Sequence, residues 1–536
     1  MPEFRRYLIN IDSISTHQLF ADCLIIGAGI AGLRAAIEAA EHCNVIIVCK
    51  DTLENSNTWK AQGGIASVLD KADTFESHIT DTISTGCGMS DEVVVNSVIR
   101  QGPELIEQLL RWGTEFDLID GRIATTLEGG HSHPRIAHAH GDETGRIIAE
   151  ALIRKVRQNS NIRIIENFFG IDLLTNDNNE CVGLIGYDKH RPRGADQIIW
   201  AAGTILATGG AGQLYRETTN PEVATGDGIA MAYRAGAILQ DLEFMQFHPT
   251  TLYIAGASRA LITETLRGEG AVLLDSQGRR FMKDYHESAE LAPRDIVSRA
   301  ILAHMLKTNS THVFLDVRSF DKEHVAKRFP HIFELCESFD IDVSRDLIPV
   351  RPSAHYMIGG VKTDASARTS IENLYACGEI TSTGLHGANR LGSNSLLEGL
   401  VFGKTAGQSV CPQTKASVAH IKHPLIKYQI PHSDRSRLDT ADVRNSLRAV
   451  MWRNVGITRT AQPLSEAQEI ITFWQRYVMD KVFDSPEGWE CQNMLTVSLL
   501  MAQAAEQRQE SRGVHFRSDF PDTDDENFKK HIEIQK

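Results

Sequence analysis

Asp22-Cys-Leu-Ile-Ile-Gly-Ala-Gly-Ile-Ala-Gly32 decides the fold of this chain, because it states how a phosphate is held. The apolar run Leu24 to Ile26 reads as a buried parallel strand, and a helix follows to about Ala40. Gly27 permits the tight turn between them. Gly29 lets the backbone approach a pyrophosphate, Gly32 brings helix and strand close, and the helix N-terminus faces the negative charge. A second apolar run, Val45–Val48, completes a dinucleotide-binding unit.

Two later segments repeat the pattern of an apolar strand closing on glycine. They are Ala201–Gly212 and Leu374–Glu379. Ligands of doubly wound sheets sit beyond the carboxyl ends of parallel strands, so all three segments converge on one cleft. The expected architecture is α/β. A Rossmann-like FAD-binding domain, 1–241 with 356–422, is interrupted by an α+β capping domain, 242–355, and followed by a helical domain, 423–536. Residues 411–435 read as a mixed polar linker. From Thr440 to about Glu510 the apolar spacing is helical: Val443, Leu447 and Val450, then Ala467, Ile470, Ile471 and Trp474. The acidic stretch Asp522–Glu526 reads as an extended tail.

Composition narrows the function. The 536 residues exceed one core, and 42% hydrophobic with 23% charged residues is ordinary globular content. A formal charge of −14 without a basic cluster argues against a nucleic-acid binder. The nine cysteines include no CxxC pair, which speaks against an iron–sulfur or zinc site and fits reduced thiols. The N-terminus lacks the apolar core of a signal peptide, and no run of 18 apolar residues exists, so a soluble cytoplasmic protein is expected. Four histidines in ten residues, His131 to His140, invite a metal reading. No acidic or cysteine partner completes the set, so no metal is expected.

The nucleotide reads as FAD rather than NAD. An NAD site places an acid at the end of the second strand, and here that strand ends in Val48-Cys-Lys50. Lys50 suits a phosphate or the adenosine side of FAD. The loop Asn57, Thr58, Trp59, Lys60, Ala61, Gln62, Gly63, Gly64 can lie against an isoalloxazine ring. Glu379 can accept ribityl or ribose hydroxyls.

The chain resembles the succinate dehydrogenase/fumarate reductase flavoprotein family. The resemblance covers nearly its whole length through GAGIAG (27–32), AQGGIA (61–66), EGGHS (128–132), TGDGIAMA (225–232), EFMQFHPT (243–250), TETLRGEGA (263–271), ELAPRDIVSRA (290–300), SAHYMIGGV (353–361), GLHGANRLGSNSLLE (384–398) and ESRGVHF (510–516). It implies FAD contacts at Gly27, Ala28, Gly29, Ile30, Ala31, Gly32, Lys50, the 57–64 loop, Asp227, Glu379, Ser395 and Leu396. It implies a dicarboxylate cage of His248, Thr263, His355 and Arg390, with Arg294 transferring a proton and Glu264 as its relay. Asp295 is a weaker relay candidate.

Two departures refine the resemblance. Membrane-complex relatives attach FAD through a histidine before the AQGG loop; Asn57 stands here, which implies a noncovalent flavin. Glu128 replaces a Gln-rich loop, and the resemblance assigns it to the substrate amine, because an ammonium needs a carboxylate that succinate does not. The implied reaction is oxidation of L-aspartate to iminoaspartate in NAD biosynthesis, with the hydride leaving Cα, or Cβ by a fumarate-reductase-like route. Oxygen or fumarate would reoxidise the flavin, and quinolinate synthase would receive the product. The alternatives are a soluble fumarate reductase or succinate oxidase, and a non-catalytic flavin scaffold.

Overall fold

The computed structural model describes residues 5–190, 195–254, 259–410, 423–431 and 438–536. Its centre is a seven-stranded sheet. The strands His17–Ile26, Val45–Val48, Ile162–Ile165, Ala195–Leu206 and Leu374–Ala376 run parallel. Phe168–Thr175 and Cys181–Asp188 extend it as an antiparallel pair. Leu24–Ile26 and Val45–Val48 are buried on both faces, which explains why they are unbroken apolar runs.

The glycine turn forms where the sequence places it, and helix Ile30–Ala39 follows, buried over its whole length. Gly27 has φ +110°, and a Cβ there would meet the Ala207 carbonyl oxygen at 2.2 Å. The burial arises because helix Asn394–Val410 closes over it. Gly399, Gly403 and Gly407 lie at four-residue intervals on that helix. Each leaves no room for a Cβ, with Ile30, Ala31 or Ala35 at 2.6 Å, so the two helices cross at nearly backbone contact.

A second unit stands above the cleft. Its four-stranded antiparallel sheet has the order Met245–Leu252, Ile348–Met357, Val313–Asp316, Val272–Leu274. Helix Arg294–Lys307 packs on it, and its core of Leu252, Leu273, Phe281, Val297 and Ile348 is separate from that of the large sheet.

Helices Thr440–Asn454, Ala461–Val478 and Pro486–Gln507 form the C-terminal bundle. The last is buried from Gly488 to Ala502 because it packs on its neighbours and on helix Asp227–Ala235 of the sheet unit. Bundle and sheet therefore share one continuous apolar core. The linker reading over 411–435 falls largely on 411–422 and 432–437, outside the described residues. Within it, Lys427–Tyr428 pairs with Ile11–Asp12.

The reading of Asp522–Glu526 as an extended tail needs correction. Asp524 caps a short helix, Asp525–Phe528, Asp525 pairs with Arg512, and strand Glu533–Ile534 adds to Leu239–Gln240. Burial of Ile532 and the bond between His531 and Asp241 anchor the segment. Among the described residues, no helix is long and apolar enough to cross a membrane.

Candidate active site

An open cleft of about 1580 Å³, mouth included, runs along the carboxyl ends of the parallel strands. The residues just beyond four strand ends line it: Gly27 to Ala31, Lys50 to Leu53, Ala207 to Gly209, and Cys377 to Glu379. Helix Ile30–Ala39 presents its N-terminus there, where the Ile30 N–H donates to Thr58 Oγ1 at 3.0 Å and the positive end of the helix favours an anion. A Cβ on Gly29 would meet only the Thr58 hydroxyl, at 3.4 Å, and Gly209 has nothing within 4 Å. The Thr208 hydroxyl is buried without a partner. The cleft's volume, its glycine cradle and the orphaned Thr208 hydroxyl fit a dinucleotide.

Of the expected cofactor residues, Gly27, Ala28, Gly29, Ile30, Ala31, Lys50, Asn57, Thr58, Lys60, Ala61, Asp227, Glu379, Ser395 and Leu396 line this cleft. Gly32, Trp59, Gln62, Gly63 and Gly64 do not. Gly32 packs on the Gly27 carbonyl, Gly64 on Ala137, and Gly63 faces Glu128 and Ser393. Trp59 packs against the apolar core under the nucleotide helix, and Gln62 is buried. Phe168, Phe169 and Asn220 line the cleft unforeseen.

The role expected of Lys50 also changes. Its ammonium faces Thr225 Oγ1 at 2.7 Å, Asp227 Oδ2 at 2.8 Å and Glu490 Oε1 at 2.5 Å, not an open phosphate position. Burial opposes its charge, and the two carboxylates more than restore it, raising its pKa. Asp227 accepts from Asn493 on its other oxygen. The pair is thus a structural knot between the cleft wall and the C-terminal bundle. Glu379 accepts from Asn57 Nδ2 at 2.9 Å and from the Met357 N–H at 3.0 Å. Burial nevertheless pushes its carboxyl up to about 7.

Between cleft and antiparallel sheet, the structure gathers the expected substrate residues. Arg294 donates from Nε to Glu264 Oε2 at 2.5 Å, and Arg267 Nη2 lies 3.1 Å from Glu264 Oε1. Asp295 instead pairs with Arg299 and accepts from Asn389, so Glu264 is the carboxylate in contact with Arg294. Burial works against the charge on Glu264, but Arg294 and Arg267 outweigh it and lower its pKa.

Arg390 donates to Gln246 Oε1 at 3.1 Å and to Ser395 Oγ at 2.7 Å, and its guanidinium stacks 4.3 Å over the Tyr356 ring. Burial, then Arg294, pulls its pKa down to about 10. Gln246 also accepts from Arg294 at 3.5 Å, while its amide donates to Asn389 Oδ1 and the Arg390 carbonyl. It bridges both arginines from within EFMQFHPT (243–250), where a neutral amide carries no mark of a binding role.

His248 and His355 stand with ring centroids 5.1 Å apart. His355 Nδ1 pairs with Thr219 Oγ1 at 2.9 Å. Burial first, then the neighbouring arginines, holds both rings well below the usual histidine range. Glu128 is 2% exposed. Burial and Glu264 raise its pKa against the pull of Arg294. Thr263 caps helix Glu264–Gly268, and its hydroxyl lies 3.2 Å from that of Thr265.

The four histidines of 131–140 have separate partners. His131 pairs with the Gly392 carbonyl, His133 with Ser77, His138 with Thr126 and His140 with Glu115. Among the described residues, no group of three or more His, Cys, Asp or Glu is placed to hold a metal.

A nucleotide cleft abutting a cluster of two histidines and two buried arginines fits a flavin-dependent oxidoreductase of small dicarboxylates. Residues 22–396 match the FAD binding domain family, and residues 444–536 match the fumarate reductase flavoprotein C-terminal family. The chain is 39% identical to L-aspartate oxidase of Streptomyces coelicolor, over 96% of this chain and 91% of that one. It is 42% identical to L-aspartate oxidase 1 of Ralstonia nicotianae, over 94% and 96%. A solved mutant of E. coli quinol fumarate reductase superposes with a TM-score of 0.88 at 32% identity, over 96% of this chain and 94% of that one. The chain belongs to the FAD-binding flavoproteins of the succinate dehydrogenase/fumarate reductase family, and within them to the L-aspartate oxidases. FAD is its cofactor.

Proposed function

We propose that this chain oxidises L-aspartate to iminoaspartate in de novo NAD biosynthesis. The observation that carries the reading is Glu128, a buried carboxylate set into a cage otherwise built for two anionic groups. A plain dicarboxylate offers that carboxylate only repulsion; an α-ammonium offers it a charge partner.

His248, Thr263, His355 and Arg390 hold the two substrate carboxylates. Arg390 is pinned by Gln246, Ser395 and the Tyr356 ring, so little ordering remains when its outer guanidinium edge takes a carboxylate in a fork. Thr263 turns its hydroxyl from Thr265 to the substrate. Glu264, bonded to Arg294 Nε, takes up a proton from the guanidinium, and the neutral guanidine so formed accepts the substrate proton, which keeps an arginine side chain usable as a base. FAD, when bound, would supply the acceptor for a hydride from Cα or, by a fumarate-reductase-like route, from Cβ, and oxygen or fumarate would be the final oxidant.

Asn57, hydrogen-bonded to Glu379, has no nucleophilic ring nitrogen, so the flavin is held noncovalently. The working division of the chain is an FAD-binding domain, 1–241 with 356–422, a capping domain, 242–355, and a helical domain, 423–536. The protein acts in the cytoplasm and hands its labile product to quinolinate synthase. The test is peroxide release in air by the FAD-loaded protein. L-aspartate is expected to sustain it and succinate not; succinate-driven release without an L-aspartate response would make the chain a succinate oxidase.

A further inference from the structure

Two hydroxyls in the cage are committed to one carboxylate. Ser393 Oγ donates to Glu128 Oε2 at 2.8 Å, and Thr265 Oγ1 donates to Glu128 Oε1 at 3.1 Å. They arrive from different parts of the molecule. Ser393 ends the loop before helix Asn394–Val410 of the sheet unit, in a left-handed conformation at φ +62°. Thr265 belongs to helix Glu264–Gly268 of the upper unit. Because Thr265 gives its proton to Glu128, the 3.2 Å contact between the two threonine hydroxyls has Thr263 as donor.

The arrangement answers an electrostatic conflict. Glu128 is buried beside a like charge, Glu264. The other charged groups facing it are Arg267 from the same helix and Arg294 from helix Arg294–Lys307. Both arginines are already committed to Glu264. A carboxylate so placed takes up a proton unless donors bond its ionised form, and a protonated Glu128 has nothing to offer an ammonium. A Cβ on Gly392 would lie 3.1 Å from Glu128 Oε2 and 3.0 Å from Arg294 Nη2. Glu128 is therefore held at the same wall of the site as the proton-transferring arginine.

We propose that Thr265 and Ser393 are positioning residues that set substrate selectivity. Each bonds one oxygen of Glu128, favouring its carboxylate form and aiming it so that the site prefers an amino-dicarboxylate to a plain one. The proposal rests on the reading that Glu128 meets the substrate amine. It adds that the preference depends on hydroxyls contributed by both units, so the amine-recognising group is complete only when the upper unit sits on the cleft.

The test uses FAD-loaded Thr265→Val, Thr265→Ser, Ser393→Ala and Glu128→Gln, each checked for flavin content and melting temperature. Affinity for L-aspartate comes from the concentration dependence of anaerobic flavin reduction, and for succinate from its perturbation of the flavin spectrum. Thr265→Val and Ser393→Ala are expected to weaken L-aspartate about tenfold or more, with succinate unchanged or tighter. The acid limb of the L-aspartate pH profile should move to higher pH, and Thr265→Ser should restore the wild-type ratio. Equal losses for both ligands, or an unchanged ratio, would overturn the proposal. Glu128→Gln separates the two layers: if it leaves the ratio unchanged, the amine reading itself fails. If it collapses the ratio while the hydroxyl variants do not, only the positioning role fails.

Discussion

Arg294 and Glu264 are joined by a hydrogen bond of 2.5 Å from Nε to Oε2, and Glu264 is 1% exposed. A guanidinium and a carboxylate in such contact away from water form one coupled ion pair rather than two independent charges. Arg267 on the second Glu264 oxygen keeps the carboxylate ionised in the resting site.

Breaking this unit should stop chemistry and spare the cofactor. Arg294→Leu is expected to abolish turnover with FAD content unchanged, since Arg294 does not line the nucleotide cleft. Glu264→Gln, which keeps a hydrogen-bond acceptor but cannot take a proton, should lower kcat by about 10²- to 10⁴-fold. Steady-state kinetics together with flavin absorbance check both; full activity in either variant would remove the pair from the mechanism.

Substrate-site occupation should be linked to proton uptake. Burial and the nearby arginines hold His248 and His355 well below their ordinary range, so both are neutral in the free site at pH 7. A bound dianion favours their charged forms and raises both values. The complex then carries more protons than the free protein, so affinity strengthens as pH falls. Succinate calorimetry in buffers of unequal ionisation enthalpy should show net uptake. Zero uptake between pH 6 and 8 would mean that the arginines alone bear the ligand's charge.

The Lys50 knot should matter for stability as much as for flavin. Lys50→Met leaves Asp227 and Glu490 facing each other in a buried wall, and stranding partners of a buried pair costs about 3–5 kcal/mol. Residual support from Thr225, Asn493 and Arg444 places the loss at the lower end. Thermal unfolding of both apo and FAD-loaded protein should show a drop. A change confined to the loaded form would mean that Lys50 acts on the nucleotide alone.

The flavin should come free when the chain is denatured. Asn57 stands where the family's covalent members carry a histidine, so acid precipitation is expected to leave all yellow colour in the supernatant. Flavin fluorescence retained on the polypeptide would contradict this.

What the sequence makes legible is what is local. The strand–glycine–helix unit at 22–40, and the helical spacing after Thr440, can be read because their partners lie within a few turns of chain. The proposed substrate residues become legible only as an ordered set of motifs, since one buried histidine has no local signature of a ligand. Gln246 escapes because a neutral amide in a buried strand carries no charge pattern, although it ties Arg294 to Arg390. Glu490 escapes for another reason: it meets Lys50 only after the bundle folds back on the sheet unit. The acidic run at 522–526 misleads because its charges find Arg512 and a helix cap, while the anchors His531 and Ile532 lie just beyond it.

The central claim, that this dicarboxylate cage is completed by a carboxylate for an amine, is tested most directly by anaerobic titration of the FAD-loaded protein, following the flavin absorbance. L-aspartate is expected to bleach the flavin, while succinate perturbs the spectrum without bleaching it. Bleaching by succinate with none by L-aspartate would contradict the account.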